Sequence, residues 1–115
     1  MTVKRIKPNI RSDRFDESRA FYRDVVGLEE QPGLDWILFF GTDQREVQLS
    51  VMSLDIKAGV HPDISIEVDD VDAVFGRAVE AGAEVVYPLT DEDWGLRRFF
   101  VRDPNGTVIN LTQHG

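Results

Sequence analysis

DISIEVDDVDAVFGRAVEAG, residues 63–82, is the stretch that decides the fold. It opens with alternation: Ile64, Ile66 and Val68 on one side, Asp63, Ser65 and Glu67 on the other. That period of two is a half-buried β-strand. Asp70 then stands where a helix N-cap is wanted, since a short carboxylate accepts the free backbone N–H groups of a first turn. Val71, Val74, Phe75, Ala78 and Val79 recur at i, i+3, i+4, i+7 and i+8, which predicts one apolar helix face. Gly82 ends it. A strand feeding an amphipathic helix must bury both apolar faces against each other, so a helix-on-sheet layer starts here.

Reading outward, EVVYP (84–88), LRRFFVRD (96–103) and TVINLTQ (107–113) supply three further strands. Pro104 and Gly106 flank Asn105 in a tight turn before the last of them. Towards the N-terminus the same grammar appears once before. VKRIKPNIR (3–11) alternates, with Ile6, Pro8 and Ile10 on one face and Arg5, Lys7, Asn9 and Arg11 on the other, a half-buried strand whose proline suits an edge. Asp16 is placed to cap a helix over 17–26, closed by Gly27, with Phe21, Val25 and Leu28 at helical spacing. WILFFG (36–41) and VQLSVM (47–52) follow as strands. The chain thus reads βαβββ twice, as one domain over residues 1–115, with module 1 about 3–54 and module 2 about 61–113. The second copy is about six residues longer, and the extra length falls on TDEDWG (90–95).

Composition bounds the function. The chain has 115 residues, a net charge of −8 and no cysteine. Its acidity argues against nucleic-acid binding, which needs basic surface to displace counterions. No apolar run approaches the length of a membrane span, and the start lacks the pattern of a signal peptide, so a cytoplasmic protein is expected. Without cysteine there is no disulfide, thiol nucleophile or thiolate metal site. There is no Gly-x-Ser-x-Gly turn, GxGxxG or P-loop.

FYRDVVGLE (21–29), DISIEVDDVDAV (63–74), AGAEVVYP (81–88) and RRFFVRDPNGTVINL (97–111), in this order, resemble the vicinal oxygen chelate superfamily. That superfamily includes glyoxalase I, extradiol dioxygenases, fosfomycin-inactivating enzymes and bleomycin-resistance binding proteins. The resemblance implies an α+β fold of two βαβββ modules forming a curved mixed sheet with helices on its convex side, and a homodimer sharing a cleft. It also implies a divalent metal held by four strands. Carried over by motif context, those four positions fall on Lys7, Gln48, Asp63 and Asn110. A protonated lysine cannot ligate a metal, and Asn110 offers a neutral carbonyl where a carboxylate is wanted. Asn110 therefore reads as the mark of a lost metal, and no cofactor is expected. A shifted site using His61, Gln48 and His114 is the remaining metal reading, although both histidines fall near strand ends, where solvated positions are expected.

The inward face implied by this pattern also includes Asn9, Ser50, Ser65, Glu67 and Thr112. Trp94, beside Asp91, Glu92 and Asp93, is placed to stack on a flat ligand, and one of Arg97 and Arg98 is expected to pair with this acidic segment. The candidate ligand-binding set is Lys7, Gln48, Ser50, Asp63, Ser65, Trp94 and Asn110, with no catalytic residue assigned. Two functions stay open: a metal-independent binding protein for a small aromatic or cationic compound, and a lyase, isomerase or dioxygenase-type enzyme using the shifted metal site or a metal-free acid/base pair.

Overall fold

The computed structural model describes residues 2–115. Its elements run β1 (Val3–Arg11), α1 (Phe15–Arg19, continuing as a π-helical turn Ala20–Val25), β2 (Glu29–Leu34), β3 (Ile37–Gly41), β4 (Gln48–Met52), β5 (Ile64–Val68), α2 (Val71–Glu80), β6 (Val85–Asp91), β7 (Leu96–Arg102) and β8 (Val108–His114). This is βαβββ twice, an α+β fold. The chain divides into two compact units. The N-terminal unit is residues 7–61; the C-terminal unit is residues 62–115 together with the start of the chain up to Ile6.

In the C-terminal unit the strand order is β5-β8-β7-β6. β5 and β8 are parallel, in register Ser65↔Asn110 and Glu67↔Thr112; β8 and β7 are antiparallel, in register Asn110↔Phe100 and Thr112↔Arg98. α2 covers one face of this sheet. Val68, Val71, Phe99 and Leu111 form the buried core there, joined by Val74, Phe75 and Ala78. Phe75 meets Phe99 edge-on with ring centroids 5.1 Å apart, a favoured aromatic arrangement. The Asp70 side chain accepts from Ala73 N at 3.1 Å, as the capping expectation requires, and Gly82 leaves the helix with φ +74°. The turn before β8 also forms as read: Gly106 N donates to Asp103 O, Gly106 takes φ +85°, and the Asp103 carboxylate accepts from Asn105 N and Thr107 N. The Thr107 bond, then the Asn105 bond, hold the Asp103 carboxyl below its ordinary range.

In the N-terminal unit the order is β2-β3-β4-β1, with β1 parallel to β4 in register Asn9↔Ser50. Leu38, Phe40 and Val51 form its core under Phe15, Tyr22 and Leu28 of the first helical segment. Three expectations change here. The helix begins at Phe15, and Asp16 does not cap it; Asp16 lies in the first turn and bonds Arg19 at 3.1 Å. After Arg19 the helix widens into a π turn, ending in a Val26 N to Phe21 O bond. β1 alternates as predicted, but its apolar side is the exposed one. Ile6 and Ile10 are 58% and 38% exposed, while Asn9 is 5% exposed. Asn9 tolerates burial because its side chain accepts from Ser50 Oγ at 2.5 Å and its backbone oxygen lies 3.1 Å from His61 Nε2.

Asp70→Ala removes the α2 cap while leaving the apolar core intact. It should cost about 1 kcal/mol of unfolding free energy, read from urea melts with an unchanged m-value.

Candidate functional site

On the face of the C-terminal sheet opposite α2, two rows of side chains cross the strands. One is Ser65, Asn110, Phe100 and Tyr87; the other is Glu67, Thr112 and Arg98. Side chains that share a register position share a face, so the ladder itself assembles this set. Ser65, Glu67, Arg98, Asn110 and Thr112 are all buried, and Phe100 is fully buried.

Most of these groups are internally matched. Arg98 Nε donates to Glu92 Oε2 at 2.7 Å, with both side chains almost entirely buried. The Tyr87 hydroxyl donates to the same oxygen at 2.9 Å. Rings enclose the Arg98 guanidinium: it lies 5.3 Å from Tyr87, 5.3 Å from Trp94 and 5.0 Å from Phe100. Burial, and then the Glu92 carboxylate, push the Tyr87 phenol above its ordinary pKa. Glu67 Oε1 meets Arg5 at 2.8 Å and His114 at 3.7 Å. The Asn110 amide donates to Ser65 Oγ at 3.1 Å. Asn110 Oδ1 and Thr112 Oγ1 are buried and have no hydrogen-bond partner.

The acidic segment around Trp94 is a tight hairpin turn. Glu92 N donates to Leu96 O at 2.7 Å, and Gly95 takes φ +91°. Both arginines pair with this segment, Arg98 with Glu92 and Arg97 with Asp91 at 3.1 Å. Arg97 also grips Asp72 in a two-pronged contact, which lowers the Asp72 carboxyl below its usual range. Trp94 is 36% exposed.

The remaining candidates sit as follows. In the N-terminal unit Lys7 Nζ lies 4.4 Å from the Phe39 ring centroid, Gln48 donates to Gln31 Oε1 at 2.7 Å, and Ser50 is spent on Asn9. His61, expected to be solvated, is buried at 2% exposure. In the C-terminal unit Asp63 is exposed and precedes β5; its backbone N–H donates to Val108 O, two residues before the Ser65–Asn110 pair. His114 is half-exposed beside Glu67. No group of three or more His, Asp or Glu side chains able to hold a metal occurs among the described residues. The carried-over positions do not fit a divalent ion: one is a cation stacked on a ring, two are neutral amides, and one is an exposed carboxylate.

Sequence alternation placed Thr112 inward, but the cluster around Arg98 was not foreseen. Its signal was available: in RRFFV, Arg98 and Phe100 share the face opposite Phe99.

Known proteins bear out the resemblance. The family model described as Glyoxalase/Bleomycin resistance protein/Dioxygenase superfamily matches residues 4–111. The chain belongs to that superfamily. A superfamily member from Vibrio splendidus 12B01 superposes with a TM-score of 0.75 at 19% identity, covering 99% of this chain and 100% of that one, which shows the fold. Among curated proteins, an uncharacterized protein of Mycobacterium bovis is 50% identical over 50 residues, 44% of this chain and 33% of its own length. The putative glyoxylase CFP32 of the same organism is 42% identical over 48 residues, 42% of this chain and 18% of its own length. The chain thus covers a third or less of these relatives. No helix among the described residues is long and apolar enough to cross a membrane.

Glu92→Ala should strip the buried Arg98 of its counter-charge and cost about 3–5 kcal/mol of stability. A Glu92→Gln variant, which keeps the side chain's size, should bring the Tyr87 phenol back towards its ordinary value of 10.0. Ultraviolet titration of tyrosinate absorbance checks this, Tyr22 being the other tyrosine. The sign follows: folding raises the phenol's pKa, so its stabilising contribution is full below the unfolded value and is lost as pH rises through the folded one.

Proposed function

We propose that this chain is a small-molecule binding protein that takes a neutral aromatic compound on the non-helical face of its C-terminal sheet, with no resident metal. One observation carries the reading. A buried polar face bordered by Tyr87, Trp94 and Phe100 retains two unpartnered hydrogen-bonding atoms, those of Asn110 and Thr112. Apolar walls with a few convergent polar groups are the usual form of a ligand site. The aromatic choice is favoured over the cationic one because Arg98 already occupies the cation position over Trp94. Lys7 and Asn110 at the carried-over ligand positions support metal independence, since a cation and a neutral amide replace metal-binding side chains.

The same reading makes the protein a cytoplasmic homodimer. A chain without cysteine suits a reducing compartment. Phe21, Val25 and Val26 on the first helical segment are 52%, 72% and 53% exposed, apolar surface that a second copy would cover. Sedimentation at tens of micromolar should give about twice the 13.1 kDa chain mass, and a monomer would remove this part of the reading.

Binding is tested by thermal melting with naphthalene-based aromatics, and in parallel with zinc, nickel, manganese and iron(II). The aromatics should raise Tm and the ions should not. Any ligand of the native state stabilises by mass action, about 2.7 kcal/mol at a hundredfold excess over Kd. A rise with one ion that a His61 or Gln48 substitution abolishes would replace this reading with the shifted metal site.

A further inference from the structure

Resting on that reading, we infer that Asn110 Oδ1 and Thr112 Oγ1 together form a subsite for a hydroxyl group, so the ligand class is an aromatic alcohol. Asn110 and Thr112 are 7% and 6% exposed, and neither of these two oxygens has a partner. Leaving buried polar atoms unpaired costs about 1–3 kcal/mol each, so two on one strand face ask for a group that satisfies both. They lie two residues apart on β8, so their side chains share one face of the strand.

The chemistry selects that group. With the Asn110 amide nitrogen donating to Ser65 Oγ, the open atom is a carbonyl oxygen, which only accepts. The Thr112 hydroxyl can donate. A ligand hydroxyl does both: it donates to Asn110 and accepts from Thr112. An ether oxygen cannot donate. A carboxylate or phosphate would set negative charge against the Asn110 carbonyl and beside Glu67, the register neighbour of Thr112. The arginines nearest this face give an anion little help, because Arg98 is already bonded to Glu92 and Arg5 to Glu67. The ring carrying the hydroxyl finds its counterpart in half-buried Tyr87, which packs on Phe100, the register neighbour of Asn110, with ring centroids 5.3 Å apart.

Three probes sharing one ring system separate the terms: 2-naphthol, 2-methoxynaphthalene and 2-naphthoate, titrated against the full chain by tryptophan fluorescence. The naphthol should bind about tenfold more tightly than either of the others, the size of one well-formed neutral hydrogen bond. Thr112→Val keeps the side chain's shape and removes the hydroxyl. It should leave Tm unchanged or raised while abolishing most of the naphthol preference. Asn110→Leu should do the same to the preference, with folding checked by its melt. Equal binding of naphthol and its methyl ether, or a preference untouched by Thr112→Val, overturns the subsite while sparing the aromatic-binding reading. Tightest binding of the naphthoate overturns the ligand class. Failure of all three to bind overturns both the subsite and the reading beneath it.

Discussion

Phe99 and Phe100 are neighbours on β7, and neither has any exposed surface. Successive strand residues point to opposite faces, so at this point the C-terminal sheet is closed to water on both sides. On the α2 side this is ordinary: Phe99 joins Val68, Val71 and Leu111 in an apolar core. On the other side it is a demand. The residues around Phe100 are Ser65, Glu67, Arg98, Asn110 and Thr112, and polar groups denied water must find partners within the protein or in a ligand. The arrangement of this face follows from that need. Glu92 reaches back from the hairpin to Arg98, Tyr87 adds its hydroxyl, and Arg5 and His114 attend Glu67.

The two modules meet the same need with the same device. Each has one parallel pair of strands, and each bridges that pair with one serine and one asparagine at matched register: Asn9 with Ser50, and Ser65 with Asn110. The order is reversed, asparagine on the first strand in one module and on the last strand in the other. In the N-terminal unit the asparagine oxygen accepts from the serine, whereas in the C-terminal unit the asparagine nitrogen donates. That difference leaves an acceptor open on Asn110.

Local rules made much of this legible. The α2 periodicity, the Asp70 cap and the turn at 103–106 all depend on residues close in sequence, and all form as read; one arginine was expected to pair with the acidic segment, and both do. What escaped reading depends on what lies across a sheet. Alternation in β1 separates Ile6 and Ile10 from Asn9 but cannot say which side is buried, and hydrophobicity pointed to the wrong one. His61 looked solvated because it stands near a strand end, yet it is buried against the Asn9 backbone. An arginine partner for the acidic segment was expected, but the burial of Glu92 with Arg98 follows only when β6 and β7 pair into a hairpin. The π turn after Arg19 has no marker in composition that we can identify.

Charge bookkeeping on the C-terminal face gives the neutral amide at position 110 its meaning. Arg98 is matched by Glu92 and Arg5 by Glu67, so the buried ionic groups sum to zero. A glutamate in place of Asn110 would add a buried anion, and a buried charge is costly unless a counter-charge joins it. A divalent cation could supply that counter-charge and would in turn ask for more carboxylates, of which Asp63 stands exposed before β5. With asparagine the cycle does not begin. On the proposed reading the face needs no ion, its remaining requirement is a hydrogen bond rather than a charge, and a neutral molecule meets that requirement without upsetting the balance.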